Sequence, residues 1–165
     1  MRYILILLLA TIVTVSCNKN DLKGGESLEV YQLKTMELVA GKCQVDGSKS
    51  AIETTPFLAN DDILEYSLQD HEFKLTNDGI QKVKAMGDRT SFAVTVDRKV
   101  IYFGFFKTSF SSSSCEHSIT MDLGSSNDKI MMRLGYPGLI QGISVEDKRN
   151  DPMLVATLAN QGKLR

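Results

Sequence analysis

The sequence predicts a single α+β domain in which a mostly antiparallel sheet packs against two helices. Three observations favour this class: an apolar strand pair over 92–106, an amphipathic helical pattern over 76–86, and a helix-start signal at Asp151-Pro152. Strand alternation and helical spacing therefore occur in one chain. Removing the first 16 of the 165 residues leaves 149, which is enough for one hydrophobic core.

The first 17 residues carry an export pattern. Arg2 is a short positive start, and residues 4–13 form an unbroken apolar run of the length usual in secretory signals. No charged residue occurs from Tyr3 to Val15, but these 13 residues fall short of the roughly 20 that a membrane-spanning helix needs. We therefore expect a cleaved export signal rather than a membrane span.

A cysteine with small residues before it follows the apolar run, since residues 14–17 read Thr-Val-Ser-Cys. This stretch resembles the lipobox of bacterial lipoproteins, and the polar tail over 18–21 is similar to that of Bacteroidota lipoproteins. The resemblance implies a signal peptide over 1–16 and acyl chains such as palmitate on Cys17. It also implies attachment to the bilayer of the outer membrane, on its periplasmic or surface face. The alternative is an ordinary signal peptide that leaves Cys17 unmodified.

The mature chain is expected to begin with a tether over 17–27, followed by one domain over 28–165. Gly24 and Gly25 lie in a stretch with too few apolar residues to pack, which is typical of a flexible linker. The whole chain has 19 Lys and Arg against 20 Asp and Glu, so its charge is close to neutral. Such a charge predicts no nucleic-acid partner.

The domain is expected to open with strand and turn segments. The apolar residues of 28–45 fit neither a helix nor a strand cleanly, and we favour a strand at the start of this segment over a helix. Residues 46–48 read as an Asp-Gly-Ser turn, and 60–62 are expected to cap a short turn before the next apolar residues. Residues 71–75 then alternate as a half-buried strand.

The first helix is predicted from Thr76 to Met86. Thr76 stands at the N-cap position, apolar residues recur at helical spacing, and Gly87 is a stop signal. After it, 92–97 alternates, Arg98-Lys99 allow a reversal, and 100–106 is apolar on both faces. A strand of that kind belongs in the middle of a sheet, and Gly104 marks a bulge or a close backbone approach.

The order of elements over 72–106 resembles the periplasmic region of the SecD and SecF export proteins. The matching residues are Leu75, Thr76, Gly79, 92–97 and 99–102. The resemblance implies a strand, helix and hairpin arrangement in this segment. It does not imply the export-motor activity of those proteins.

The last third of the chain predicts a loop, two strands and a helix. The serine-rich run over 109–114 reads as an exposed loop, and 119–123 and 130–134 read as strands. The final helix is predicted over Pro152 to Gln161, because Asp151 is a capping residue and proline suits the first helical position.

Cys43 and Cys115 are the two cysteines that remain beside Cys17. An even pair in an oxidising envelope compartment is more often bridged than reactive, so we expect a Cys43–Cys115 disulfide. The alternative is an envelope hydrolase in which Cys115, or a serine of the run over 109–114, acts with His117. No strained nucleophile turn or glycine-rich oxyanion loop accompanies these residues, which disfavours catalysis.

Cofactor and metal signals are weak. The two histidines lie 46 positions apart without a metal-binding motif, and no phosphate-binding loop occurs, so neither a metal nor a cofactor is predicted. Tyr102, Phe105 and Phe110 are expected mainly in the core, and the alternative is that they form a binding surface on a sheet face that is left open. The function predicted is therefore non-catalytic binding or scaffolding of an envelope protein, peptide or glycan.

Overall fold

The computed structural model describes residues 24–108, 110–123 and 127–165. The predicted signal peptide and Cys17 lie outside the described residues. Two α-helices occur there, α1 at Asn77–Lys84 and α2 at Pro152–Asn160. The strands are β1 Leu28–Thr35, β2 Ala51–Ile52, β3 Ile63–Ser67, β4 Glu72–Leu75, β5 Ser91–Val96, β6 Lys99–Phe106, β7 Cys115–Leu123 and β8 Lys129–Tyr136.

All eight strands belong to one sheet with the order β2-β1-β5-β6-β7-β8-β4-β3. Every neighbouring pair is antiparallel except β6 and β7, which are parallel over Gly104–Phe106 and Ile119–Met121. The prediction of a single α+β domain with a mostly antiparallel sheet and two helices is therefore confirmed. No helix in the described part of the chain is long and apolar enough to cross a membrane.

The β5–β6 hairpin lies at the centre of the sheet, as its apolar pattern predicted. Asp97 and Arg98 both have positive φ angles, of 47° and 63°, which suits a tight two-residue hairpin turn. Gly104 is opposite Phe92 in the β5 ladder. A Cβ atom at Gly104 would lie 2.6 Å from the carbonyl oxygen of Ile119, so this position requires the close backbone approach that glycine allows.

Both helices begin at the residues expected from their capping signals. The Thr76 hydroxyl accepts a hydrogen bond from the Gly79 amide at 3.1 Å, and the Asp151 carboxylate accepts one from the Met153 amide at 2.9 Å. The helices share one core cluster with residues of β1, β5 and β6. Its central members are Leu28, Val30, Ile80, Val83, Phe92, Val94, Val96, Leu154 and Leu158.

The opposite sheet face carries a second, smaller cluster. Neighbouring residues of β6 point to opposite faces, so Phe106 joins the helix-covered core while Phe105 joins Val45 and Cys115. The predicted disulfide is present, since Cys43 is bonded to Cys115. It attaches the segment after β1 to the start of β7, and this segment covers the second face.

Residues 24–27, which the sequence placed in the tether, contact the domain. The Gly25 amide donates to the Thr157 hydroxyl at 2.8 Å, and the Ser27 amide donates to the Asp97 carboxylate at 2.9 Å. Asp97 also accepts from the Glu26 amide at 3.0 Å. The N-terminal segment therefore joins the domain beside the β5–β6 turn.

Candidate functional site

The three aromatic residues predicted as one binding surface do not share a surface. Tyr102 is 5% exposed and Phe105 is 3% exposed, whereas Phe110 is 95% exposed. Tyr102 and Phe105 point to opposite faces of β6, and both faces are covered. The burial of Tyr102 and Phe105 removes both from the possible binding surface, and Phe110 remains as the exposed member.

Phe110 stands at the rim of a small apolar cleft of about 200 Å³. Met86 and Phe106 are buried, while Leu123 is 40% exposed. The lining residues, which define the Phe110 cleft, are Lys84, Met86, Phe106, Lys107, Thr108, Phe110 and Leu123.

The loop that carries Phe110 is held by a buried lysine. The Lys107 side chain is fully buried, and its Nζ lies 2.8 Å from the Ser113 hydroxyl and 3.4 Å from the Asp88 carboxylate. It also lies 5.1 Å from the centroid of the Tyr136 ring. A buried ammonium group requires such partners, because it has lost the water that would solvate it.

Asp88 connects this lysine to both sides of Phe110. Its carboxylate accepts hydrogen bonds from the Thr108 amide at 3.1 Å and from the Ser111 hydroxyl at 2.9 Å. Desolvation raises the pKa of Asp88, but these hydrogen bonds and the charge of Lys107 outweigh it and leave the pKa below its ordinary value. Asp88 therefore holds Thr108 and Ser111, which lie on either side of the exposed Phe110.

Tyr136 of β8 also hydrogen-bonds the residues on either side of Phe110. Its hydroxyl lies 3.2 Å from the carbonyl oxygen of Ser111 and 3.4 Å from that of Thr108, and its single proton is shared between these two acceptors. The serine-rich run is thus more than a solvated loop, since Ser111 and Ser113 supply the hydroxyls that bind Asp88 and Lys107.

Sequence reasoning missed Lys107 and Asp88. The available signal was a lysine that directly follows the apolar run 100–106 and precedes a serine-rich run. A lysine at the end of a central strand, with hydroxyl groups next to it in the chain, is a candidate for burial with partners. Asp88 comes from the segment after α1, so only the tertiary structure brings it to this lysine.

The structure gives three described residues of the hydrolase alternative other bonding partners. Cys115 is bonded to Cys43 and carries no free thiol. Ser114 donates to the Glu116 carboxylate at 2.9 Å, and Ser113 binds Lys107. An ammonium group has no lone pair and does not act as a base toward Ser113.

His117 lies elsewhere, at a cavity of about 190 Å³ beside the point where β6 and β7 separate. Tyr102 lines the same cavity. The Nδ1 atom of His117 and the hydroxyl of Tyr102 have no hydrogen-bond partner among the described residues. Burial raises the pKa of Tyr102 well above its ordinary value, so its hydroxyl stays protonated.

Within the described ranges, no three His, Cys, Asp or Glu side chains lie close enough together to hold a metal ion. Comparison of the chain with known protein families, with curated proteins and with solved structures finds no match.

Proposed function

We propose that the chain is a lipoprotein of the cell envelope, anchored to the outer membrane through an acylated Cys17, whose domain binds an envelope protein at the Phe110 cleft. The anchor is supported by the export pattern and by the lipobox resemblance at residues 14–17. The observation that carries the binding function is the 95% exposure of Phe110 between Thr108 and Ser111, which are both hydrogen-bonded to the Asp88 carboxylate that pairs with the buried Lys107.

An exposed phenylalanine has a large free energy to gain from a partner. Burying such a side chain is worth roughly 1.5–3 kcal/mol. The hydrogen bonds of Asp88 and Tyr136 already hold Thr108 and Ser111, so binding loses less conformational entropy than it would if these two residues were free. Aromatic anchors on ordered supports are typical of the residues that dominate protein interfaces.

The position of the cleft suits a partner away from the anchoring bilayer. The amides of Glu26 and Ser27 bind Asp97 at the turn that precedes β6, whereas Phe110 follows the other end of β6. An eight-residue strand spans about 26 Å. The anchored end and the Phe110 cleft are therefore on opposite ends of the hairpin.

The anchor is tested by mass spectrometry of the N-terminus of the native protein. We expect Cys17 as the first residue, carrying two or three acyl chains. An uncleaved Met1, or an unmodified N-terminal residue other than Cys17, would contradict the anchor.

The binding function is tested by a photoreactive amino acid placed at Phe110 in cells, with the same amino acid at Lys99 as the control. Lys99 is exposed at the opposite end of β6. We expect one defined protein adduct from position 110 and none of the same mass from position 99. Equal labelling from both positions, or no adduct from position 110, would reject the proposal.

A further inference from the structure

The size of the Phe110 cleft restricts what it can hold. Its volume of about 200 Å³ lies below the roughly 300–1,000 Å³ of pockets that enclose whole small molecules. Its walls are Met86, Phe106, Leu123 and the ring of Phe110, and methionine adapts its shape easily to an incoming group. The cleft is therefore matched to one large apolar side chain.

The charges at the cleft are positive. Two lysines line it and no acidic residue does. Lys107 is balanced by Asp88. Lys84 is exposed at the end of α1, and it forms no ion pair with any residue of the described ranges. A partner with a carboxylate next to its apolar side chain would complement Lys84.

We infer that the Phe110 cleft binds an acidic protein segment that inserts one large apolar side chain between Phe110 and Met86, with a neighbouring carboxylate paired to Lys84. The inference rests on the proposed function and adds the chemistry of the partner. A glycan fits less well, because the walls are apolar and Thr108 is the one uncharged polar residue among those that line the cleft. The anchoring bilayer also fits less well, because the cleft is at the other end of the hairpin from residues 24–27.

The test uses the full chain in micelles of a detergent without a sugar headgroup. Three labelled pentapeptides with blocked ends are compared by fluorescence anisotropy: Asp-Asp-Phe-Asp-Asp, Asp-Asp-Ala-Asp-Asp and Lys-Lys-Phe-Lys-Lys. We expect the first to bind most tightly, and the loss of its aromatic ring to weaken binding about tenfold or more. Micelles without protein measure the background.

Variants assign the effect to the cleft. Phe110→Ser should weaken binding of the acidic phenylalanine peptide about tenfold. Lys84→Glu should weaken it about fivefold and should improve binding of the lysine peptide, because the charge at the rim is reversed. Lys99→Glu makes the same charge change at an exposed site on the other end of β6, and it should leave the order of the three peptide affinities unchanged.

Several results would overturn the inference. If the alanine peptide binds as tightly as the acidic phenylalanine peptide, the cleft does not bind an apolar side chain. If the Lys84→Glu variant still prefers the acidic peptide to the lysine peptide, Lys84 does not pair with a carboxylate of the partner. Displacement of the peptide by maltotriose would point to a glycan, and Phe110-dependent binding to phosphatidylcholine vesicles would point to a bilayer. If any of these occurs while the protein adduct from position 110 forms in cells, the inference fails and the proposed function stands; loss of that adduct rejects the proposed function itself.

Discussion

The two faces of the sheet are covered in different ways. On one face, α1 and α2 pack apolar residues against the strands and form the larger core around Phe92. On the other face, a segment that contains no α-helix covers a small cluster around Phe105, and the Cys43–Cys115 disulfide holds this segment in place. The buried Lys107 lies at the end of the same hairpin, where polar contacts replace apolar ones.

The difference shows how a segment can cover a sheet face stably although it buries little apolar area there. Hydrophobic stabilisation grows with the apolar area removed from water, so the smaller cluster contributes less than the helix-covered core. The disulfide compensates by restricting the unfolded chain, since it closes a loop with a sequence separation of 72. The candidate site lies beside this second arrangement, where a loop rather than a helix reaches the surface.

The largest effect is expected from the helix-covered face. Phe92→Ala should lower the free energy of unfolding by about 4–5 kcal/mol, because it leaves a cavity in the larger core. Phe105→Ala removes the same ring from the smaller cluster and should cost about 3 kcal/mol. Urea denaturation of the full chain measures both. A larger loss from Phe105→Ala would reverse the proposed ranking of the two faces.

Removing the disulfide should be the next largest effect. Replacing Cys43 and Cys115 by serine should cost about 3–4 kcal/mol, from the lost restriction of the unfolded chain. The change should be non-additive with Phe105→Ala, which belongs to the same cluster, and additive with Phe92→Ala on the opposite face. Double-mutant cycles by urea denaturation provide the measurement, and equal coupling to both phenylalanines would contradict the separation of the faces.

The lysine cluster gives a smaller and asymmetric effect. Asp88→Ala leaves the buried ammonium of Lys107 with fewer partners and should cost about 2 kcal/mol. Lys107→Met removes the buried charge and keeps an apolar chain of similar length, so it should cost less than Asp88→Ala. Thermal unfolding of the two variants in the same buffer shows which of them is the less stable. If Lys107→Met is the more destabilising, the Lys107–Asp88 ion pair is net favourable, contrary to this prediction.

The smallest effect expected is on acid stability. The pKa of Asp88 is lowered in the folded state, so its contribution is present above the ordinary aspartate value of about 3.9 and is lost as pH falls through the lowered folded value. The Asp88→Asn variant should therefore lose less stability than the wild type when the pH falls below about 4. Urea midpoints at neutral pH and at low pH measure the difference, with Asp78→Asn in the first turn of α1 as the control. Identical acid dependence in wild type and Asp88→Asn would contradict it.

Local signals were enough to predict several elements from the sequence. The start of each helix depends on a capping side chain and its near neighbours, which is why Thr76 and Asp151 were informative. The β5–β6 hairpin depends on alternation and a short reversal, which are also local. The export pattern that ends at Cys17 is read from the sequence alone, and it lies outside the described residues.

Other features depended on contacts between distant parts of the chain, and only the tertiary structure decided them. The parallel pairing of β6 with β7 follows from the path of the chain between the two strands. The burial of Tyr102 follows from which elements cover the sheet. The Lys107–Asp88 pair joins residues whose meeting no periodicity predicts. Burial is a property of the whole fold, and therefore the sequence proposed three aromatic residues for the site while the structure left Phe110 exposed.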